Sequence, residues 1–155
     1  MSDRASFPIG EREALALLAA AAEARTRAYI PYSGFAVGAA LLDAEGNVHP
    51  GCNIENAAYG PTNCAERTAL FSAVAAGRPP RSFRAIAVTA DTEEPVTPCG
   101  TCRQVLAELC APDMPVVLGT IRGKWRVTTV AELLPGAFTS AQLEEDRSRK
   151  GGQKP

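Results

Sequence analysis

The sequence predicts a single three-layer α/β/α domain built on a mixed, roughly five-stranded sheet. Three observations carry this expectation. Strand-like apolar runs alternate with helix-like ones along the chain, which places helices on both faces of one sheet. The run FAVGAALL at residues 35–42 is apolar throughout, as a strand covered on both sides requires. A chain of 155 residues, 46% of them hydrophobic, supplies one core.

The elements follow in order. Residues 11 to about 29 read as a helix, with Leu15, Leu18 and Ala22 at helical spacing and Pro31 to stop it. The strand at 35–42 leads into Asp-Ala-Glu-Gly-Asn at 43–47, a turn whose Gly46 and Asn47 tolerate positive φ. A second strand at about 48–54 completes a hairpin. After the Gly60-Pro61 breaker, a helix is expected from Thr62 or Asn63 to Ala76, with Gly77 ending it. RAIAVTA at 84–90 is a third strand, and residues 100–109 form a helix after Pro95 and Pro98. Short strands at 116–119 and 126–129 precede one or two helical turns at 131–134. Residues 1–140 are expected to form one domain. The charged stretch 141–155 has too few apolar residues to offset ordering entropy and is expected to be a flexible tail.

Charge and composition exclude several functions. A net charge of -1 shows no basic excess, which makes a polymeric nucleic acid a poor candidate partner. No run reaches the roughly 18 continuous apolar residues of a membrane span. The apolar stretch 14–22 is flanked by Glu11, Glu13 and Glu23, unlike a secretory signal, so a cytoplasmic protein is expected. Five cysteines, an odd number, favour free thiols or metal thiolates over a disulfide framework.

Three of those cysteines sit where chemistry is expected. Cys64 opens one predicted helix, and Cys99 and Cys102 open another as Pro-Cys-Gly-Thr-Cys. A C-x-x-C at a helix start puts two sulfurs on one face, and a third cysteine fills three of four tetrahedral positions. Thiolates suit zinc, and three protein ligands leave one position for water, the layout of a catalytic site. Unsatisfied N–H groups at helix starts favour the thiolate form. Half of a structural zinc site and a redox pair remain as alternatives on spacing alone. Glu66, two residues after Cys64, is a candidate non-ligand acid/base, against the plainer reading of a carboxylate favouring the helix dipole. Arg67, three residues after Cys64, lies on the same helical face and can donate to the sulfurs. Cys52 and Cys110 read as small buried hydrophobes, and no role is expected for His49.

Cys64-Ala65-Glu66-Arg67 followed by Pro98-Cys99-Gly100-Thr101-Cys102-Arg103-Gln104 resembles the zinc-dependent nucleoside and nucleobase deaminases. The finer resemblance is to the small, homotetrameric cytidine deaminases. It rests on YSGFAVGAA at 32–40, GCNIENA at 51–57, AERTA at 65–69 and ELLPGAF at 132–138. The resemblance implies hydrolytic deamination of cytidine and 2′-deoxycytidine to uridine and 2′-deoxyuridine, in pyrimidine salvage. It implies one Zn²⁺ per chain on Cys64, Cys99 and Cys102. Zinc-bound hydroxide would attack C4 of cytosine, with Glu66 as proton shuttle. Asn53 and Glu55 would bind the ribose 3′-hydroxyl and Phe35 would contact the pyrimidine. Backbone groups of Ala65 and Cys99 would read the base edge. Phe138 would reach into a neighbouring subunit's site in a homotetramer, and Arg67 would be the thiolate-binding arginine. A related deaminase of the blasticidin type is the alternative; the Asn53/Glu55 pair argues for a nucleoside.

Overall fold

The computed structural model describes residues 9–151. The three-layer α/β/α architecture is as expected. Strands β1 (Val37–Leu42), β2 (Val48–Cys52), β3 (Ala85–Ala90), β4 (Pro115–Thr120) and β5 (Trp125–Thr129) form one sheet in the order β2-β1-β3-β4-β5. Only β3 and β4 run parallel; the other neighbours are antiparallel.

Period-two alternation decides which face each side chain serves. Ala39 and Leu41 of β1, Ile86 and Val88 of β3, and Val116 and Leu118 of β4 face one layer. That layer comprises α2 (Ala65–Ala75), α3 (Gly100–Leu109) and α4 (Val130–Leu133). Ala40, Leu42, Ala85, Ala87 and Val117 face α1 (Glu11–Arg25) instead. Full burial of a Leu or Ile stabilises by roughly 1.5–3 kcal/mol. The fully buried Leu41, Leu70, Ile86, Leu106 and Leu118 all belong to the α2/α3 side, so that side carries most of the hydrophobic stabilisation. The α1 side substitutes close approach for bulk. A Cβ on Gly38 would lie 1.9 Å from the Ala21 carbonyl oxygen, so only glycine lets α1 settle on β1. On the opposite face, a Cβ on Gly51 would lie 2.3 Å from the Ala65 carbonyl oxygen, where α2 begins.

Several boundaries differ from the sequence expectation, two of them for a long-range reason and one for a local one. Helix α1 stops at Arg25 rather than near residue 29, because the backbone of Tyr29 is taken by a distant segment. Its N–H donates to Asn53 and its carbonyl accepts from Glu55. Strand β1 starts at Val37 rather than Phe35, because the Asn53 side chain bonds the Phe35 carbonyl and the Val37 N–H. Residues Ser140–Arg149 form a helix, α5, where an unstructured tail was expected. Gln142 Oε1 caps its start by accepting from the Thr139 N–H at 2.8 Å, and Arg149–Glu145 and Lys150–Asp146 pair along it. Such i,i+4 pairs contribute only about 0.3–0.5 kcal/mol each, and no residue of α5 is buried. The cap and these pairs shape α5 without any contribution to the core.

The β1–β2 turn is clasped to the far end of α2. Asp43 is 1% exposed. Its Oδ1 accepts from the Glu45 and Asn47 N–H groups, and its Oδ2 meets His49 Nε2 at 2.9 Å and Arg78 Nε at 3.1 Å. Arg78, just past α2, also pairs with Glu45 at 2.7 Å. His49 is therefore part of a structural clasp. The hydrogen bond from His49, with those from Asn47 and Glu45 and the Arg78 charge, holds the Asp43 carboxyl at about 2 against burial. A carboxyl lowered on folding adds stability above its ordinary value of 3.8 and loses it as pH falls toward 2. Thermal unfolding should thus show a Tm gap between wild type and Asp43→Asn that is full at neutral pH, narrows below about pH 4 and closes near pH 2. A gap of constant size across that range would remove Asp43 from the acid response.

Candidate metal centre

Helices α2 and α3 begin side by side, and each has a cysteine at the N-cap. Cys64 and Cys99 hold extended backbone angles there, φ -78° and -65°, and neither makes a side-chain cap hydrogen bond. Cys102 is the third residue of α3. The three sulfurs lie within 4.8 Å of one another, with Cys64 Sγ and Cys99 Sγ 3.8 Å apart. A tetrahedral zinc with bonds of about 2.3 Å spaces its sulfurs roughly 3.8 Å apart. The donor set suits zinc and the Cys64–Cys99 spacing matches it, and no other cluster of this kind occurs among the described residues.

The electrostatics prepare the same group. Two helix N-termini direct N–H groups and positive dipole ends at the sulfurs. Arg67 Nη2 donates to Cys64 Sγ at 3.2 Å. The Cys64 thiol is brought down to about 5 by its hydrogen bond with Cys102, against burial, and further by Arg67 and Cys99. Cys102 is pushed up by sharing that hydrogen bond and by burial. Burial opposes the charge on Arg67, but its hydrogen bonds to Cys64 and Cys102 outweigh this and keep the guanidinium firmly charged. Its Nε is buried with no partner in the protein, a spare donor at an anionic cluster.

Glu66 is 4% exposed. Burial raises its carboxyl pKa, a hydrogen bond with Cys102 opposes this, and the Cys64 charge adds to the rise. A carboxyl with a raised pKa can both take and give a proton near neutrality. Cys110 is the contrast: burial alone pushes it up to about 12, so it stays a thiol in the core, as expected. Cys52 is half-buried at the end of β2.

The remaining expected residues flank this cluster. Ile54 pairs with Asn63, the residue before Cys64, so segment 53–55 lies alongside the start of α2. Asn53 and Glu55 are both half-buried, beyond the end of β2 rather than within it. Asn53 bonds the Phe35 carbonyl at 2.7 Å and the Val37 N–H at 2.9 Å. Glu55 Oε1 accepts from the Tyr32 and Ser33 N–H groups, both at 3.1 Å. Hydrogen bonds from Ser33 and Tyr32 hold the Glu55 carboxyl below its ordinary value. Phe35 is half-exposed and Ala65 fully buried. Phe138 is 58% exposed, with its carbonyl held by Gln104 Nε2 at 2.9 Å. Sequence reasoning missed Thr68. Its hydroxyl reaches the carbonyls of Cys64 and Cys52 and accepts from Asn63 Nδ2, tying the ligand-bearing turn to β2. Its position four residues after Cys64 was the available signal.

Residues 11–118 match the family described as the cytidine and deoxycytidylate deaminase zinc-binding region. The chain belongs to this deaminase family. A cytidine deaminase of Sporosarcina psychrophila is 59% identical over 127 residues, which cover 82% of this chain and 92% of that one. The crystal structure of cytidine deaminase from Burkholderia pseudomallei superposes with a TM-score of 0.79 at 55% identity, over 84% of this chain and all of that one. The cytidine deaminase structure from Mycobacterium tuberculosis gives 0.68 at 38% identity, over 80% and 95% of the two chains. The deaminase family and the cysteine group agree on the cofactor: one Zn²⁺ per chain.

Elemental analysis should accordingly find one zinc per chain, a value lowered by Cys99→Ala and kept by Cys110→Ala. Full zinc in Cys99→Ala would place the ion elsewhere.

Proposed function

We propose that the chain hydrolyses cytidine and 2′-deoxycytidine to uridine and 2′-deoxyuridine, releasing ammonia. The observation that carries this is a buried carboxyl, Glu66, set against three convergent cysteine sulfurs on family-matched helix starts. Relatives that match more than 80% of the chain are cytidine deaminases, which disfavours a blasticidin-type substrate.

Cys64, Cys99 and Cys102 would hold the zinc, whose Lewis acidity makes water a nucleophile at neutral pH when the ion is bound. Glu66 takes a proton from the attacking water and places it on N3 of the ring as the C4–O bond forms. It then carries the remaining water proton to the exocyclic amine, the C4–N bond breaks, and ammonia leaves. The raised pKa of its carboxyl suits both halves of that relay. Arg67 offsets the excess negative charge of the sulfurs.

The ribose reading, which the family resemblance implies, is supported by the hydrogen-bonding groups left free. Asn53 spends its oxygen on Val37 and one amide proton on Phe35, leaving the second proton to donate. Glu55 accepts from the Tyr32 and Ser33 N–H groups through Oε1 and from the Ser33 side chain, which still leaves a carboxylate, with about four acceptor sites, room for one more donor. One donor and one acceptor side by side suit a sugar hydroxyl, here the 3′-OH. Phe35 packs on the pyrimidine, and backbone groups of Ala65 and Cys99 read its edge. We assign the protein to a homotetramer in which Phe138 enters a neighbour's site. The exposed Tyr32, Phe35, Tyr59 and Phe138, at 43–88% accessibility in one protomer, support that assembly. We place it in the cytoplasm, in pyrimidine salvage. Among the described residues no helix is long and apolar enough to cross a membrane. We treat residues 1–140 as the deaminase unit and 141–155 as an appendage.

Purified protein should convert cytidine and deoxycytidine, read as the fall in cytosine absorbance, and CMP poorly, since the residues assigned to the sugar, Asn53 and Glu55, include no cation to meet a phosphate. Glu66→Gln should retain zinc and lose about 10²–10⁴-fold in turnover; normal turnover in that variant would overturn the assignment. Arg67→Ala should keep zinc and slow turnover by about one to two orders of magnitude. That range follows from charge-assisted hydrogen bonds of roughly 1.5–3 kcal/mol, with about 1.4 kcal/mol per tenfold. The acidic limb of its pH–rate profile should move to higher pH, because uncompensated sulfur charge opposes proton loss in the site. An unmoved limb at unchanged rate would make Arg67 a bystander.

A further inference from the structure

Arg103 follows Cys102 directly, and nothing in the chemistry above uses it. Its half-buried guanidinium makes three short hydrogen bonds in different directions. Nε donates to the Pro98 carbonyl at 2.7 Å, Nη2 to Thr97 Oγ1 at 2.8 Å and Nη1 to the Leu133 carbonyl at 2.7 Å. Thr97 and Pro98 immediately precede Cys99. Leu133 ends α4 and leads into the segment that carries Phe138. The next residue of α3, Gln104, holds that segment from the other side through the Phe138 carbonyl.

We propose that Arg103 is a positioning residue for the zinc site: its guanidinium locks the loop before Cys99 to the helix that carries Cys102. The argument is geometric. Cys102 lies within a regular helix, so its place is set by α3. Cys99 is an exposed N-cap at the end of a loop, with no side-chain cap bond of its own. Further back, past the backbone bond from Ile121 to Ala90, the side-chain ties from the loop to the β4–β5 turn are exposed pairs, Asp91 with Arg122 and Glu94 with Lys124. Exposed pairs of this kind hold weakly. Arg103 is the charged group bonded to the two residues next to the ligand, and a planar fork reaches acceptors that a lysine ammonium cannot reach together. The Leu133 bond makes the same side chain join the metal loop to the Phe138 segment.

This inference rests on the zinc reading, and its test separates the two. Zinc affinity is measured by chelator competition, and cobalt is used as a spectroscopic probe of the sulfur site. Arg103→Ala should bind zinc about 10–100-fold more weakly, the usual cost of removing a group that orients ligands. Its cobalt–thiolate absorption should shift, and Arg103→Lys should recover part of both losses. A lower Tm with wild-type zinc affinity and an unchanged cobalt spectrum would reduce Arg103 to general packing and overturn the proposal. If Arg103→Ala does not fold, Arg103→Lys decides: affinity at least threefold weaker supports the role, and wild-type affinity overturns it. Wild-type protein that binds no zinc would instead defeat the reading on which this one stands.

Discussion

The structure depends on what happens where two helices begin at one point. Each helix start exposes N–H groups and a positive dipole end, and like ends repel unless negative charge lies between them. Here the negative charge is supplied by the cysteines themselves, in place of the Ser, Thr or Asp that ordinarily caps a helix. The sulfurs then overshoot: three thiolates against a dication leave one excess negative charge. Arg67, within the first turn of α2, draws that excess down. The buried carboxyl of Glu66 is tolerable beside them because it can be neutral. Folding, metal affinity and proton transfer are thus three aspects of a single charge balance, and none can be adjusted alone.

The sheet serves this arrangement by fixing where α2 can go. One end of the helix is seated on β2 at Gly51 and bonded there by Thr68. The other is clasped to the hairpin turn through Arg78 and Asp43. Held at both ends, α2 offers Cys64, Glu66 and Arg67 from a rigid base. The segments around 32–37 and 53–55, proposed above to meet base and sugar, are braced against each other by the Asn53 and Glu55 side chains.

Much of this was legible in the sequence because the relevant relations are local. Cys64, Glu66 and Arg67 fall within one helical turn, and Cys99 and Cys102 within another, so spacing alone placed Arg67 on the face of Cys64 and Cys102 on that of Cys99. The five strands were readable from alternation and from the turn at 43–47. What could not be read was long-range. The early end of α1 depends on Asn53 and Glu55, more than twenty residues away from Tyr29. The clasp at Asp43 draws on Arg78, and Arg103 reaches Leu133 thirty residues on. The helicity of α5 was hidden for the opposite reason. It has no core contacts to leave a hydrophobic period, and only its cap and charge pairs record it.

Gly51 shows how far the site extends. It carries no side chain and is given no role in the chemistry proposed above. Yet any substituent there presses on the Ala65 carbonyl at 2.3 Å, and Ala65 is bonded directly to Cys64 and Glu66. Relief of that pressure shifts Cys64 of the metal centre and the buried Glu66 carboxyl together. In a saturation-mutagenesis library scored for activity, position 51 would group with the chemistry rather than with the sheet to which it belongs. The functional perimeter of this enzyme is drawn by backbone proximity as much as by the side chains that face the substrate.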